Sequence, residues 1–313
     1  MNKVFLYSAP PPRFAEEIFA AFRRKYPAVE CGWDHAPATQ LFSRTLEEIA
    51  QGRCPADVML LNRQQAEGLK QQGLLQPYLS PEAECFPEVF RDPDGFGTQV
   101  VMVPFSVAYH TGKVPPEEVP ATYEEILHPR WKGKLLYPDP RRSGSASGWY
   151  AVIKDRLGEP FLLKLAAQDP ICKHDAEEWL AEGEGSILLA ANVGHIEEQK
   201  NRGAPVDWVP MPVMMFAGPC AVLFRHAKHP EEGKRLIDFL LSEAGQEIMS
   251  GYHIPNRPGV TIREPLFASV RKRLEGCQLV TFTAKHGKEY EANQARCIAL
   301  FVEQNRRSSD TPS

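Results

Sequence analysis

The first sixty residues alternate short apolar runs with segments whose apolar positions recur at helical spacing. Strands of a parallel sheet read as short apolar runs, and helices that cover such a sheet are amphipathic. The predicted elements are strands over 3–7, 29–33 and 57–61 and helices from about 13 and over 39–49. This βαβαβ order predicts an α/β fold with a mostly parallel sheet.

Ligands bind sheets of this kind in the loops that follow the carboxyl ends of the strands. The corresponding loops here are 8–12, 34–38 and 62–64. They make Ser8, Ala9 and Asn62 candidate ligand-binding residues, together with Thr39, which directly follows the second loop.

The pattern changes at 99–109, a long apolar segment that contains Pro104. Proline disfavours a central strand, so this segment is interpreted as a kinked crossing between two lobes. A second α/β series follows, and the apolar run 219–225 predicts a strand that returns to the first lobe. Two crossing strands are typical of a hinged clamshell, with lobe 1 formed by 1–103 plus 219–313 and lobe 2 by 104–218.

Charge, apolar runs and cysteine spacing limit the classes of function that this chain can have. The formal net charge is −4, which lacks the excess of Lys and Arg typical of nucleic-acid binding. No apolar run is long enough to span a bilayer, and the first residues do not resemble a signal peptide. The seven cysteines are scattered without the close pairs of metal or redox motifs, and no cofactor or metal is expected.

Several segments together resemble the iron-type and phosphonate-type substrate-binding proteins of ABC transporters, which have the type II periplasmic-binding-protein fold. The resemblance covers the chain to about residue 258. Its segments are 4–8, 22–27, 56–60, 131–134, Asp139-Pro140, Ser143-Gly144-Ser145, 183–187, 239–246 and 252–258. It implies a two-lobed receptor that closes on a small ligand.

The resemblance also implies where a metal would bind. In the ferric-ion binders of this family, a His or Glu from the first lobe and two adjacent tyrosines from the second hold the metal. The corresponding positions here are Pro11, Asn62 and the pair Asn192-Val193. Fe(III) prefers anionic oxygen donors, so ferric binding of this type is not expected.

An anion-binding loop is better preserved. Ser143, Gly144 and Ser145 precede a helix predicted from about residue 146, and Arg141 and Arg142 lie beside them. Backbone N–H groups at a helix start, together with hydroxyl groups and an Arg fork, suit a phosphate, phosphonate or carboxylate. In the alternative interpretation, Ser143 only caps the helix and the arginines face solvent.

The remaining candidates have two interpretations each. Ser106 either faces the cleft between the lobes or is satisfied by backbone. His195, Glu197 and Glu198 form either a metal or acid/base cluster or a solvated helix face, and the solvated face is favoured. Aromatic rings near the loops could stack on a ligand, although packing is favoured for each: Trp33, His35 and Trp149. Asn192 is included as a ligand-binding candidate.

We therefore expect an extracytoplasmic receptor, not an enzyme, that delivers a small anionic organic ligand to an ABC permease. One alternative is a sensing subunit of the same fold that acts on a sensor kinase. Another is a cytoplasmic enzyme on this fold. No nucleophile–base pair, Gly-rich phosphate loop or paired carboxylate motif supports the enzyme.

Overall fold

The computed structural model describes residues 2–8, 12–36 and 38–303, without the side chains of 38, 39 and 284. The strands are β1 (Lys3–Ser8), β2 (Glu30–His35), β3 (Val58–Asn62), β4 (Leu75–Gln76), β5 (Thr98–Gln99), β6 (Val101–His110), β7 (Leu135–Pro138), β8 (Ile171–Lys173), β9 (Ile187–Asn192), β10 (Val206–Val209), β11 (Val213–Ala217), β12 (Pro219–Phe224), β13 (Ile254–Pro255) and β14 (Gln278–Thr281). The predicted βαβαβ order at the N-terminus is confirmed.

The α-helices alternate with these strands along the chain. They are α1 (Pro12–Lys25), α2 (Ala38–Ala50), α3 (Arg63–Gln71), α4 (Tyr123–Ile126), α5 (Gly144–Leu157), α6 (Glu159–Ala166), α7 (Ala176–Ala181), α8 (Val193–Asn201), α9 (Pro230–Leu241), α10 (Glu243–Met249), α11 (Pro265–Arg273), α12 (Ala284–Lys288) and α13 (Tyr290–Ile298). A π-helical turn, Ala299–Glu303, follows α13.

The chain divides into two compact units. Unit 1 comprises Met1–Met102 and Gly218–Ala268, and unit 2 comprises Val103–Ala217 and Ser269–Ser313. The chain thus passes between the units three times, within β6, between β11 and β12, and within α11. The sequence had indicated two passages and had assigned all of 219–313 to the first lobe.

Unit 1 is built on a sheet with the order β2-β1-β3-β12-β4, and β5 pairs with β12. β1 is parallel to both β2 and β3, whereas β12 is antiparallel to β3. Alternate residues of β1 enter different cores, because successive side chains of a strand point to opposite faces. Val4 and Leu6 join a core with α1 and α9, and Tyr7 joins the core on the other face. Both faces are covered, which explains the apolar runs in the sequence.

Unit 2 is built on a sheet with the order β14-β11-β6-β9-β7-β8, and β10 also pairs with β6. β7 is parallel to β8 and to β9, so the carboxyl ends of these three strands lie at one edge of the sheet. Pro104 lies inside β6 opposite Phe216, and the register with β9 shifts between Ser106 and Ala108.

The C-terminal segment belongs to unit 2 because of long-range pairing. β14 lies parallel to β11, with Val280 opposite Met215. The α13 helix contacts α5, where Asn293 Oδ1 accepts a hydrogen bond of 3.0 Å from Lys154 Nζ. The local pattern of apolar and polar residues in 269–303 does not indicate which sheet this segment joins. The sequence alone therefore could not assign the segment to a unit.

Candidate functional site

The carboxyl edge of the unit 2 sheet carries the loop 139–143, which leads from β7 into α5. Asp139 is buried, and its carboxylate accepts hydrogen bonds from the backbone N–H of Arg141 at 3.0 Å and from Arg141 Nε at 2.8 Å. The Arg141 guanidinium lowers the pKa of the Asp139 carboxyl below its ordinary value. The charge of Arg141 is therefore largely compensated within the loop.

The helix α5 begins at Gly144, two residues earlier than the sequence indicated. Ser143 is its N-cap, and its Oγ accepts a hydrogen bond of 3.2 Å from the backbone N–H of Ala146. The hydroxyl groups of Ser143 and Ser145 lie 2.9 Å apart. Within the described part of the chain, the backbone N–H groups of Gly144 and Ser145 have no acceptor. The first amides of a helix attract anions, because the helix dipole is positive there.

Arg142 differs from Arg141. Its side chain is exposed and forms no ion pair with a described residue. Its charge also helps to lower the pKa of the Asp139 carboxyl, but unlike Arg141 it is not held in an ion pair within the loop.

Residues far along the chain hold this loop in place. The carbonyl oxygen of Pro140 accepts hydrogen bonds from Gln294 Nε2 at 2.9 Å and from Ser147 Oγ at 3.4 Å. The backbone N–H of Asp139 donates to the carbonyl of Lys173 at 2.9 Å, which joins the loop to the end of β8. Gln294 could not have been identified from the sequence, because it lies 154 positions from Pro140.

The end of β8 presents a pair that the sequence analysis missed. Lys173 Nζ lies 3.6 Å from the centre of the Trp179 ring, and both side chains are half-buried. On the other side of β7, Asn192 ends β9 and caps α8, accepting a hydrogen bond of 3.0 Å from the N–H of Gly194. The backbone N–H of Asn192 donates to Glu177 Oε1 at 3.4 Å. A cation followed six residues later by a tryptophan is too weak a pattern to identify in advance.

Unit 1 has its own carboxyl edge, formed by the ends of β1, β2 and β3. Ser8 is buried, its carbonyl lies 3.1 Å from His35 Nδ1, and its Oγ has no partner among the described residues. Asn62 caps α3 by accepting a hydrogen bond of 2.8 Å from the N–H of Gln65. Ala9 and Pro11 lie outside the described residues, as does the side chain of Thr39. An apolar pocket in this unit is lined in part by Phe14, Leu60 and Tyr252.

Other candidates have structural partners. Ser106 is fully buried and donates to the carbonyl of Val209 at 2.5 Å, which is the backbone-satisfied alternative. Trp149 is buried in the core of unit 2, and Trp33 packs against a core of unit 1.

The segment with His195, Glu197 and Glu198 does not form a cluster. His195 and Glu198 are exposed, whereas Glu197 is buried and accepts a hydrogen bond of 2.7 Å from Trp208 Nε1. The described residues contain no group of three or more His, Cys, Asp or Glu side chains that could hold a metal ion. In the same part of the chain, no helix has both the length and the apolar character needed to cross a membrane.

Comparison with known proteins identifies the class. The family model described as bacterial extracellular solute-binding protein matches residues 55–270, which is well over half of the chain. The chain belongs to this family of extracytoplasmic solute-binding proteins of ABC transporters, which are transport receptors and not enzymes. The family implies a small-molecule ligand and an ABC permease as partner.

Individual relatives differ in what their names say they bind. Iron uptake protein A1 from Synechocystis is 26% identical over 84% of this chain and 78% of its own length. The structure of Trichodesmium IdiA (FutA) with iron and citrate has a TM-score of 0.79 at 20% identity, covering 96% of this chain and 99% of that chain. The structure of AfuA from Actinobacillus pleuropneumoniae with fructose 6-phosphate has a TM-score of 0.73 at 17% identity, covering 96% of this chain and 98% of that chain. These structures show the two-lobed periplasmic-binding-protein fold.

Proposed function

We propose that this protein is an extracytoplasmic receptor that binds a small organic anion and delivers it to an ABC permease. The observation that carries the proposal is the start of α5, where the amides of Gly144 and Ser145 are free among the described residues and Arg142 is unpaired. These donors suit an anionic group better than a neutral one, because hydrogen bonds to a charged acceptor are stronger.

Ferric ion is the competing ligand, because relatives are named for iron uptake or hold iron with citrate. The positions that the family resemblance assigns to metal ligands argue against it here. Asn62 and Asn192 are helix caps, and Val193 is fully buried. The sequence also contains no two adjacent tyrosines.

A ligand screen by thermal unfolding tests the proposal. The panel contains inorganic phosphate, fructose 6-phosphate, citrate and Fe(III), each added separately to the whole protein. A ligand that binds only the folded state stabilises it by roughly 2.7 kcal/mol at a hundredfold excess over Kd. Stabilisation by an anion supports the proposal, whereas stabilisation by Fe(III) alone contradicts it.

Substitutions in the loop should weaken anion binding. We expect Ser145→Ala and Arg142→Ala each to reduce affinity by about 1–3 kcal/mol, the usual contribution of a hydrogen bond to a charged group. Ser143→Ala should also destabilise the fold, by about 0.5–2 kcal/mol, because it removes the cap of α5. Isothermal titration of the anion found in the screen measures affinity, and thermal unfolding measures stability on the same proteins.

Arg141→Ala and Arg156→Ala provide the comparison. Arg141 is bound to Asp139, so its loss should disturb the loop more than it removes a ligand contact. Arg156 is exposed in the last turn of the same helix and should have no effect on binding. Equal affinity in the wild type and in the Ser145 and Arg142 variants would show that the loop is not the anion site.

A second expectation concerns the visible absorption of the protein in the presence of Fe(III). Adding Fe(III) with citrate should leave the protein without a visible charge-transfer band, because Asn192 and Val193 stand where the metal-binding tyrosines of the family are placed. Absorption spectroscopy between the near ultraviolet and the red measures this directly. A band that appears with Fe(III) and disappears on replacing one tyrosine by phenylalanine would refute the expectation.

A further inference from the structure

Three consecutive cations end the helix α1 in unit 1. The side chains of Arg23, Arg24 and Lys25 are exposed. The helix runs back from the carboxyl end of β1, and a short turn, 26–29, then leads to the start of β2, which is parallel to β1. These cations therefore lie at the amino edge of the sheet, opposite to the edge that carries the ligand-binding candidates of this unit.

A cation from a second helix joins this group through the ring of Tyr26. Lys25 Nζ lies 5.6 Å from the centre of that ring, and the guanidinium carbon of Arg235 on α9 lies 6.0 Å from it. Arg235 also lies 3.6 Å from Glu232 on the same helix. The ring packs on Phe22, with 4.8 Å between the ring centres, and so is anchored to the core of unit 1. The basic patch is defined by these five residues: Arg23, Arg24, Lys25, Tyr26 and Arg235.

The three cations of α1 form no ion pair with a carboxylate of the described residues. Glu30, the next acid along the chain, forms an ion pair of 3.0 Å with Lys3 instead. The acids of α1 are Glu16 and Glu17, which lie nearly two turns before the patch, roughly 10 Å along the helix axis. Salt screens exposed charges beyond about 8 Å. The patch is therefore locally positive, although the formal net charge of the whole chain is −4.

The helix dipole accounts for only part of this arrangement. Cations in the last turn of a helix are stabilised by the dipole, and this applies to the three residues at the end of α1. It does not apply to Arg235, which lies in the first half of α9 and yet approaches the same ring as Lys25. Two helices thus bring exposed cations to one surface around a half-buried tyrosine.

We propose that the basic patch binds the surface of a bilayer that contains anionic lipids. The family implies an ABC permease as partner, so the receptor works at a lipid surface. Each Lys or Arg near an anionic bilayer strengthens adsorption about fivefold, and the three cations of α1 together correspond to roughly 100-fold. Tyr26 suits the same surface, because the amphipathic ring of tyrosine is favoured at membrane–water interfaces. Adsorption would keep the receptor close to its permease.

Co-sedimentation of the whole protein with lipid vesicles at low ionic strength tests the proposal. One set of vesicles contains equal parts of phosphatidylcholine and phosphatidylglycerol, and the other contains phosphatidylcholine alone. The wild type should bind to the anionic vesicles only, and added salt should release it, because salt screens the attraction. The triple variant Arg23→Gln, Arg24→Gln, Lys25→Gln should bind roughly 100-fold more weakly, and Arg24→Gln alone about fivefold.

A second triple variant removes the same net charge elsewhere. Arg156→Gln, Lys164→Gln and Lys272→Gln replace three exposed cations on three helices of unit 2. This control should bind the anionic vesicles as the wild type does. Thermal unfolding of every variant shows whether a loss of adsorption reflects a loss of folding, and the single variant Arg24→Gln then decides if the triple variant unfolds.

A loss of adsorption confined to the variants of the patch supports the proposal. Three results would overturn it: no binding of the wild type to the anionic vesicles, equal binding to both kinds of vesicle, or equal losses in the two triple variants. The last result would mean that net charge drives adsorption and that the patch does not. Stabilisation by the anions of the ligand screen should be the same in the patch variants and the wild type. Failure of this proposal would therefore leave the anion receptor untouched.

Discussion

Replacing Gly218 with alanine should destabilise the protein by about 3 kcal/mol or more, the range of backbone strain and severe steric overlap. A Cβ on Gly218 would overlap the carbonyl oxygen of Val101 and would lie 3.0 Å from Gln99 Nε2. The two segments cannot separate easily, because the N–H of Val100 donates to the carbonyl of Pro219 at 2.9 Å. Gly218 also has a φ of +157°, which other residues adopt rarely. Chemical denaturation of the purified protein measures the change.

Gly203→Ala is the matched control for this prediction. Gly203 has a φ of +91°, but a Cβ there would meet nothing within 4 Å. Its replacement should cost only the backbone strain, about 1 kcal/mol. Similar losses in both variants would show that the close approach to Val101 does not determine the effect at Gly218.

Replacing Arg273 with alanine should destabilise the protein by about 2–4 kcal/mol, because it removes the partner of a buried carboxylate. Arg273 Nη1 donates to Glu197 at 2.9 Å and to Asp207 at 2.8 Å. Its guanidinium lies 4.0 Å from the centre of the Trp208 ring. Without Arg273, the carboxylate of Glu197 would remain buried and, among the described residues, would keep only the hydrogen bond from Trp208 Nε1.

Arg271→Ala serves as its control, because Arg271 is exposed two residues earlier in the same helix. Its replacement should change stability by less than about 0.5 kcal/mol. The double variant Arg273→Met with Glu197→Gln should recover part of the loss, since it removes the unpaired charge. Urea denaturation at neutral pH measures the free energy of unfolding of each variant. An Arg273→Ala protein as stable as the wild type would contradict the assigned role of this ion pair.

The role of Arg273 also explains a candidate that the sequence left open. In the sequence, Glu197 lies close to His195 and Glu198, and this combination fitted either a cluster of functional side chains or a solvated helix face. The structure gives Glu197 partners on β10 and α11, and leaves His195 and Glu198 exposed on α8. Residues that are neighbours on a helix need not share a face, so spacing alone could not make them a site.

The half-buried Cys172 of unit 2 shows the same dependence on packing. Burial raises the pKa of the Cys172 thiol to about 12, and its Sγ donates to the carbonyl of Phe301 at 3.3 Å. Cys172 therefore remains protonated near neutral pH. From the sequence it was one of seven scattered cysteines without an evident role.

The sequence by itself determined the class of fold, because hydrophobic periodicity is a local property. The apolar runs and amphipathic helices of the first sixty residues correspond to β1, β2, β3, α1 and α2. The loop 139–145 was singled out as a candidate from local chemistry, since a serine before a helix and neighbouring arginines are adjacent in the chain. The structure confirms Ser143 as the cap of α5, and the ligand-binding role of the loop stays a prediction.

Only the tertiary structure decided which charges in that region are compensated and which segments join each unit. Arg141 forms an ion pair with Asp139 while Arg142 does not, although the two residues are consecutive. Lys173 comes beside Asp139 through the register of β7 and β8, and β14 joins unit 2 by pairing with β11. Such contacts depend on strand register and packing between distant segments, which the local order of apolar and polar residues does not encode.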